Sequence, residues 1–187
     1  MCALPICRPT YTMQALAYHE ALPGHHLQIS LSQERPGRPA FRRYFYLPAF
    51  DEGWALYAEG LPDEIGLYTD PYAQFGRLTY NAHRSARLVV DTGIHAQGWS
   101  RGRAIAYFEE NAALPRPEIE NEVDRYIAWP GQALAYKVGE LTLRATRRHA
   151  ETREGKAFDL RAFHDHLLAR GSIPLRTLKR LWNDPQP

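Results

Sequence analysis

The chain has 187 residues, enough for one domain with its own core. Its 23 Lys and Arg stand against 21 Asp and Glu, a formal charge of +2, which excludes nucleic acid or an anionic membrane surface as the expected partner. No run of 18 apolar residues occurs and nothing near Met1 has the form of a secretory signal, so neither a helical membrane span nor export is expected, and the location reads as cytoplasmic.

Taken in chain order, Cys2 and Cys7 lie too close together to staple much and read as free thiols. Pro9 precedes TYTMQALAYHEAL, a helix-forming run with Thr10 or Thr12 as its N-cap. Pro23-Gly24 interrupts it, and HHLQISLSQE resumes a helical pattern up to the RPGRP loop at 35–39. A further helix, EGWALYAEGL, starts near Asp51 and ends around Gly60 to Pro62. After the turn at Thr69-Asp70-Pro71, Phe75, Leu78, Ala82, Ala86 and Val89 recur at spacings of three and four, which predicts a long buried helix ending near Gly98. Ser100 is placed to cap RGRAIAYFEENAAL, and Pro115 and Pro117 lead into EIENEVDRYIAW. Beyond Pro130-Gly131 come QALAYKVGELTLRATRRHA, AFDLRAFHDHLLAR and PLRTLKRLW, with Gly171 as a stop between the last two. Arg144, Arg147 and Arg148 read as a solvated helix face, and His164 and His166 as surface residues. No segment alternates with period two, so the expectation is an all-α fold, one multi-helical domain over 1–187 with little or no sheet.

One stretch carries chemistry. YHEALPGHHLQ begins like the zinc motif H-E-x-x-H, in which two histidines four residues apart share a helix face while the Glu beside the first serves the metal-activated water. Here Pro23 stands where the second histidine belongs, and His19 is six residues from His25 and seven from His26. In an unbroken helix the first pair would be about 240° apart around the axis and the second about 10 Å apart along it, so neither could share one zinc. Pro and Gly permit a departure. If Ala21 to Gly24 loop out two residues, His25 takes the ligand position and His26 faces a neighbouring or outer one. The ion would be zinc, with manganese or iron as alternatives for such nitrogen and oxygen ligands.

A hydrolytic zinc needs a third protein ligand, and Glu52 and Glu59 share a face of the next helix. Glu52, 27 residues past His25, suits an antiparallel pair of helices meeting at the metal. An oxyanion needs a donor, and Tyr126 and Tyr136 flank Pro130-Gly131. Asp91 and His95, four apart, could orient each other or a ligand histidine.

HEALPGHHLQ, DEGWALYAEGL, RLVVDTGIHAQGWS, EVDRYIAWPGQALAYKVGE and GSIPL, in this order, resemble the C-terminal part of the longer bacterial chains called domain of unknown function 885. The resemblance implies a gluzincin-like metallopeptidase fold, similar to oligopeptidases of the thimet and neurolysin type and to the thermostable carboxypeptidases. It implies His19, His25 or His26, and Glu52 as metal ligands, Glu20 as general base, and Tyr136 or Tyr126 as oxyanion donor. The expected function is zinc-dependent hydrolysis of short peptides. The alternative is a silent metal-binding or protein-interaction module, dimerising through the face on which the rest of such a chain would pack.

Overall fold

Prolines and glycines end most of the helices where the sequence places them. The computed structural model describes residues 9–183, so Cys2 and Cys7 lie outside the described residues. These form α1 (Met13–Glu20), α2 (His25–Glu34), α3 (Ala40–Arg43), α4 (Pro48–Ala58), α5 (Leu61–Glu64), α6 (Pro71–Gln97), α7 (Arg101–Asn111), α8 (Arg116–Ala128), α9 (Ala135–Glu154), α10 (Leu160–Leu168) and α11 (Leu175–Asn183), with three-residue 3-10 turns between some of them and no strand among the described residues. The fold is all-α. It divides into two compact units, one running to Tyr18 and resuming over Glu59–Leu134, the other His19–Ala58 with the chain from Ala135 onward.

In the first unit, Thr10–Thr12 forms a 3-10 turn, and the Thr12 hydroxyl donates to the Pro9 carbonyl, 2.9 Å, rather than capping α1. α6 is bounded as expected. The Asp70 carboxylate accepts from the Tyr72 amide at its start, and Gly98, at φ +66°, closes its end in the left-handed conformation. Its inward face is not the one the spacing predicted. Ala86 is buried, but Phe75, Leu78 and Val89 are 49%, 53% and 36% exposed, and Ala82 is exposed too. The face turned inward carries Gly76, Thr79, His83, Arg87, Val90, Asp91 and Gly93. The reason is close approach: a Cβ on Gly76 would lie 2.0 Å from the Tyr11 carbonyl oxygen, and one on Gly93 would lie 2.5 Å from the Trp99 indole. α6, α7, α8 and the turn Gln132–Leu134 share a core of Ala86, Val90, Ala104, Ile105, Phe108, Ile119, Val123, Tyr126 and Ala133. Ser100 caps α7 by accepting from the Arg103 amide, as expected.

Beside that core, Glu122 Oε2 accepts from Arg87 (2.8 Å), Arg125 (2.8 Å) and the Tyr126 hydroxyl (2.5 Å), with His83 Nε2 at 3.6 Å. Burial, reinforced by Arg87 and Arg84 and opposed by Glu122, holds the His83 imidazole down at about 4. A folded-state value below the ordinary 6.5 means that the unfolded chain takes up the proton first as pH falls. The stability from neutral His83 is therefore complete above pH 6.5 and is lost toward pH 4. Burial would raise the Glu122 carboxyl, but His83 and the arginines hold it far below its ordinary 4.5, so the stability it contributes is lost chiefly as pH falls below that value. We predict that His83 contributes a loss of about 2 kcal/mol between pH 6.5 and 4.5, read by denaturant unfolding, with the slope clearly smaller in His83→Gln.

In the second unit α4 and α9 pack at two glycines. A Cβ on Gly139 would stand 1.9 Å from the Ala49 carbonyl oxygen, and one on Gly53 would stand 2.5 Å from Gly139 Cα. α4 begins at Pro48, earlier than expected, because Asp51 Oδ2 accepts from the Leu47 amide, 2.7 Å, and secures its first turn. All its residues from Phe50 to Ala58 are buried. α2 lies against α4, α10 against α2, and α11 against α9. Of the basic residues assigned to a solvated face, Arg148 is exposed, whereas Arg144 binds Glu140 and Arg147 binds Glu151 and the Tyr57 hydroxyl. His166 is exposed, but His164 is not a free surface residue: its Nε2 meets the Tyr57 hydroxyl at 2.8 Å and its ring meets Trp54 edge-on.

Candidate metal centre

The departure at Pro23-Gly24 is a break between two helices. α1 ends on Glu20, residues 21–24 bend, and α2 starts on His25. Pro23 has no N–H to continue a helix. Its carbonyl instead accepts from the Trp54 indole, 2.9 Å, which ties the bend to α4. Leu27 N and Gln28 N donate to the carbonyls of Ala21 and Gly24, so these two carbonyls of the bend also have partners.

This bend turns His25 back beside His19. His19 is 3% exposed, and the two rings meet edge-to-face at 4.8 Å. Glu52 Oε2 lies 3.3 Å from His25 Nε2 and 3.6 Å from His19 Nε2, and one ligand atom from each of the three residues falls within 4.8 Å of the others. Ligands about 2.0–2.1 Å from a tetrahedral zinc are separated from one another by roughly 3.3 Å. The donor types therefore fit zinc, and the separations of Glu52 Oε2 from the two histidines lie close to this value. His26, at the next position of α2, is exposed and outside this group.

The carboxylate is held as an anion. Burial would raise the Glu52 carboxyl, but hydrogen bonds from His19 and His25, the charge of His25 and the Tyr46 hydroxyl bring it well below the usual carboxylate range. Tyr46 donates to the other oxygen, Oε1, at 2.9 Å. The preceding residue, Asp51, is buried, and this raises its carboxyl, partly offset by bonds from Ser172, Gln28 and the Leu47 amide. These bonds tie the first turn of α4 to α2 and to the residues after α10. Tyr136, in the first turn of α9, stacks on His19 with ring centres 6.3 Å apart and planes 17° from parallel. Glu20 follows His19 directly and is exposed.

The remaining candidates have partners inside the first unit. The Tyr126 hydroxyl donates to Glu122 and accepts from Arg87 Nε at 2.8 Å. Asp91 accepts from the Gly131 amide and so secures the Pro130-Gly131 turn, and His95 Nε2 meets the Tyr126 carbonyl at 2.9 Å, rather than the two orienting each other. Glu59 is buried, with its carbonyl accepting from Tyr68. Sequence reasoning missed Tyr46, Trp54 and the Gln28–Asp51–Ser172 group. Only Tyr46, just upstream of the helix that carries Glu52, stood where a look back from the predicted ligand would have met it.

An all-helical unit that converges two histidines and a glutamate on one point defines a candidate metal-binding fold. The chain belongs to the family of bacterial proteins of unknown function, DUF885, whose model matches residues 5–181. Two solved structures are similar to it, each described as a putative lipoprotein. The one from Colwellia psychrerythraea is 44% identical with a TM-score of 0.91, covering 94% of this chain and 30% of its own. The one from Shewanella oneidensis, of unknown function, is 30% identical with a TM-score of 0.85, covering 94% of this chain and 32% of its own. The chain thus spans about a third of the length of these solved relatives. Among curated proteins none matches.

Proposed function

We propose that the chain is the metal-bearing part of a gluzincin-like peptidase that hydrolyses short peptides. The observation that carries this reading is the meeting of His19, His25 and Glu52, with Glu52 Oε2 3.6 Å and 3.3 Å from the two histidine Nε2 atoms. His19, His25 and Glu52 would hold the metal, with manganese or iron as alternatives. Zinc in such a site acidifies a water molecule and polarises a carbonyl. Glu20, beside the first ligand and open to solvent, accepts the proton of the attacking water and passes it to the leaving amine. Tyr136, stacked on His19, donates its hydroxyl to the carbonyl oxygen as charge develops there. Elemental analysis of the purified chain tests the centre: about one zinc per chain is expected, lost in both His19→Ala and Glu52→Ala. A parent chain that holds no metal even after zinc is supplied would overturn it.

No described helix is long and apolar enough to cross a membrane. Because both solved relatives are described as putative lipoproteins, we place the protein's work at the cell envelope, in place of the cytoplasmic location expected from sequence. A second reading, a protein-interaction module that dimerises or binds another chain, is favoured by the outward apolar row Tyr72, Phe75, Leu78 and Val89 of α6. A chain that binds zinc yet cleaves no member of a peptide library would decide for it.

A further inference from the structure

The two oxygens of Glu52 are divided between two sets of partners. Oε2 faces both histidines, whereas Oε1 accepts a hydrogen bond from the Tyr46 hydroxyl at 2.9 Å. A carboxylate whose second oxygen is already bonded offers a metal one oxygen, and its outer partner fixes which one. Tyr46 is itself fixed in place. It lies in the connecting residues before Pro48, and the next amide, Leu47 N, is held by Asp51, which Ser172 and Gln28 anchor in turn. Half of the Tyr46 surface is open to solvent, so its hydroxyl can be removed without emptying a core position.

We infer that Tyr46 is a positioning residue for the metal centre: its hydroxyl holds Glu52 Oε1 so that Oε2 alone is presented beside His19 and His25. The inference rests on the metal reading above. A zinc held by His19, His25 and one oxygen of Glu52 would have three protein ligands, the number a hydrolytic site uses.

The test is Tyr46→Phe, with Tyr44→Phe as control, since Tyr44 is a 70% exposed tyrosine of the same segment. Three quantities are read: zinc affinity by competition with a chelator, the visible absorption of the cobalt(II)-substituted chain, and the melting temperature of the metal-free chain. Tyr46→Phe is expected to bind zinc about 10- to 100-fold more weakly, with an altered cobalt spectrum and an unchanged metal-free melting temperature. Tyr44→Phe should match the parent in all three. Zinc affinity within about twofold of the parent would overturn the inference and leave the metal centre standing. So would a loss shared by Tyr44→Phe, or one accompanied by a clear fall in metal-free melting temperature. Zinc bound by neither parent nor variant would overturn the metal reading and this inference with it.

Discussion

Glu20→Gln is expected to lower peptide hydrolysis by about 10²- to 10⁴-fold while the zinc content stays that of the parent chain. Gln keeps the shape of Glu and removes only its capacity to take a proton. Glu20 lies outside the group formed by His19, His25 and Glu52, so the metal should not be disturbed. As the last residue of α1 it is exposed, and its replacement empties no core position. Rate and metal content measured on one preparation separate the roles: His19→Ala and Glu52→Ala should lose both, Glu20→Gln the rate alone. Hydrolysis unchanged in Glu20→Gln would move the base to another group.

The largest effect on folding is expected at Gly139, where Gly139→Ala should destabilise the second unit by about 3 kcal/mol or more. The added methyl would meet the Ala49 carbonyl oxygen at 1.9 Å and Gly53 Cα at 2.6 Å. Both are helix backbone, so relief requires α4 and α9 to move apart rather than a side chain to turn. Glu52 immediately precedes Gly53, and Tyr136 lies one turn before Gly139, so the same displacement should weaken zinc binding. Gly102→Ala is the control. Gly102 also sits in a helix, but its added methyl would have only Ser100 Oγ at 4.0 Å nearby, and its stability should stay level or rise slightly. Denaturant unfolding of the two variants beside the parent checks the contrast, and equal stability for Gly139→Ala would refute tight packing of α4 on α9.

Much of this was determined by local chemistry and was legible in the sequence. Asp70-Pro71 and Gly98 bound α6, and Ser100 starts α7, because caps and breakers act on groups within a few residues of themselves. His19, His25 or His26, and Glu52 could be named as candidates because the metal chemistry restricts the residue types and the Pro-Gly break explains the odd spacing. What stayed hidden depended on contacts between residues distant in the chain. The apolar row of α6 pointed to a buried face, yet the close approach of the Tyr11 backbone to Gly76 turns another face inward, since backbone can come that near only where no Cβ stands. The break at Pro23 is stabilised by Trp54, and Glu52 is oriented by Tyr46, through hydrogen bonds that no period or motif encodes. The sequence by itself determined where the longer helices lie and which residues were candidates to meet at one point. Only the tertiary structure decided which face of each helix is buried and which oxygen of Glu52 meets the histidines, because both depend on where other helices bring their backbones and donors.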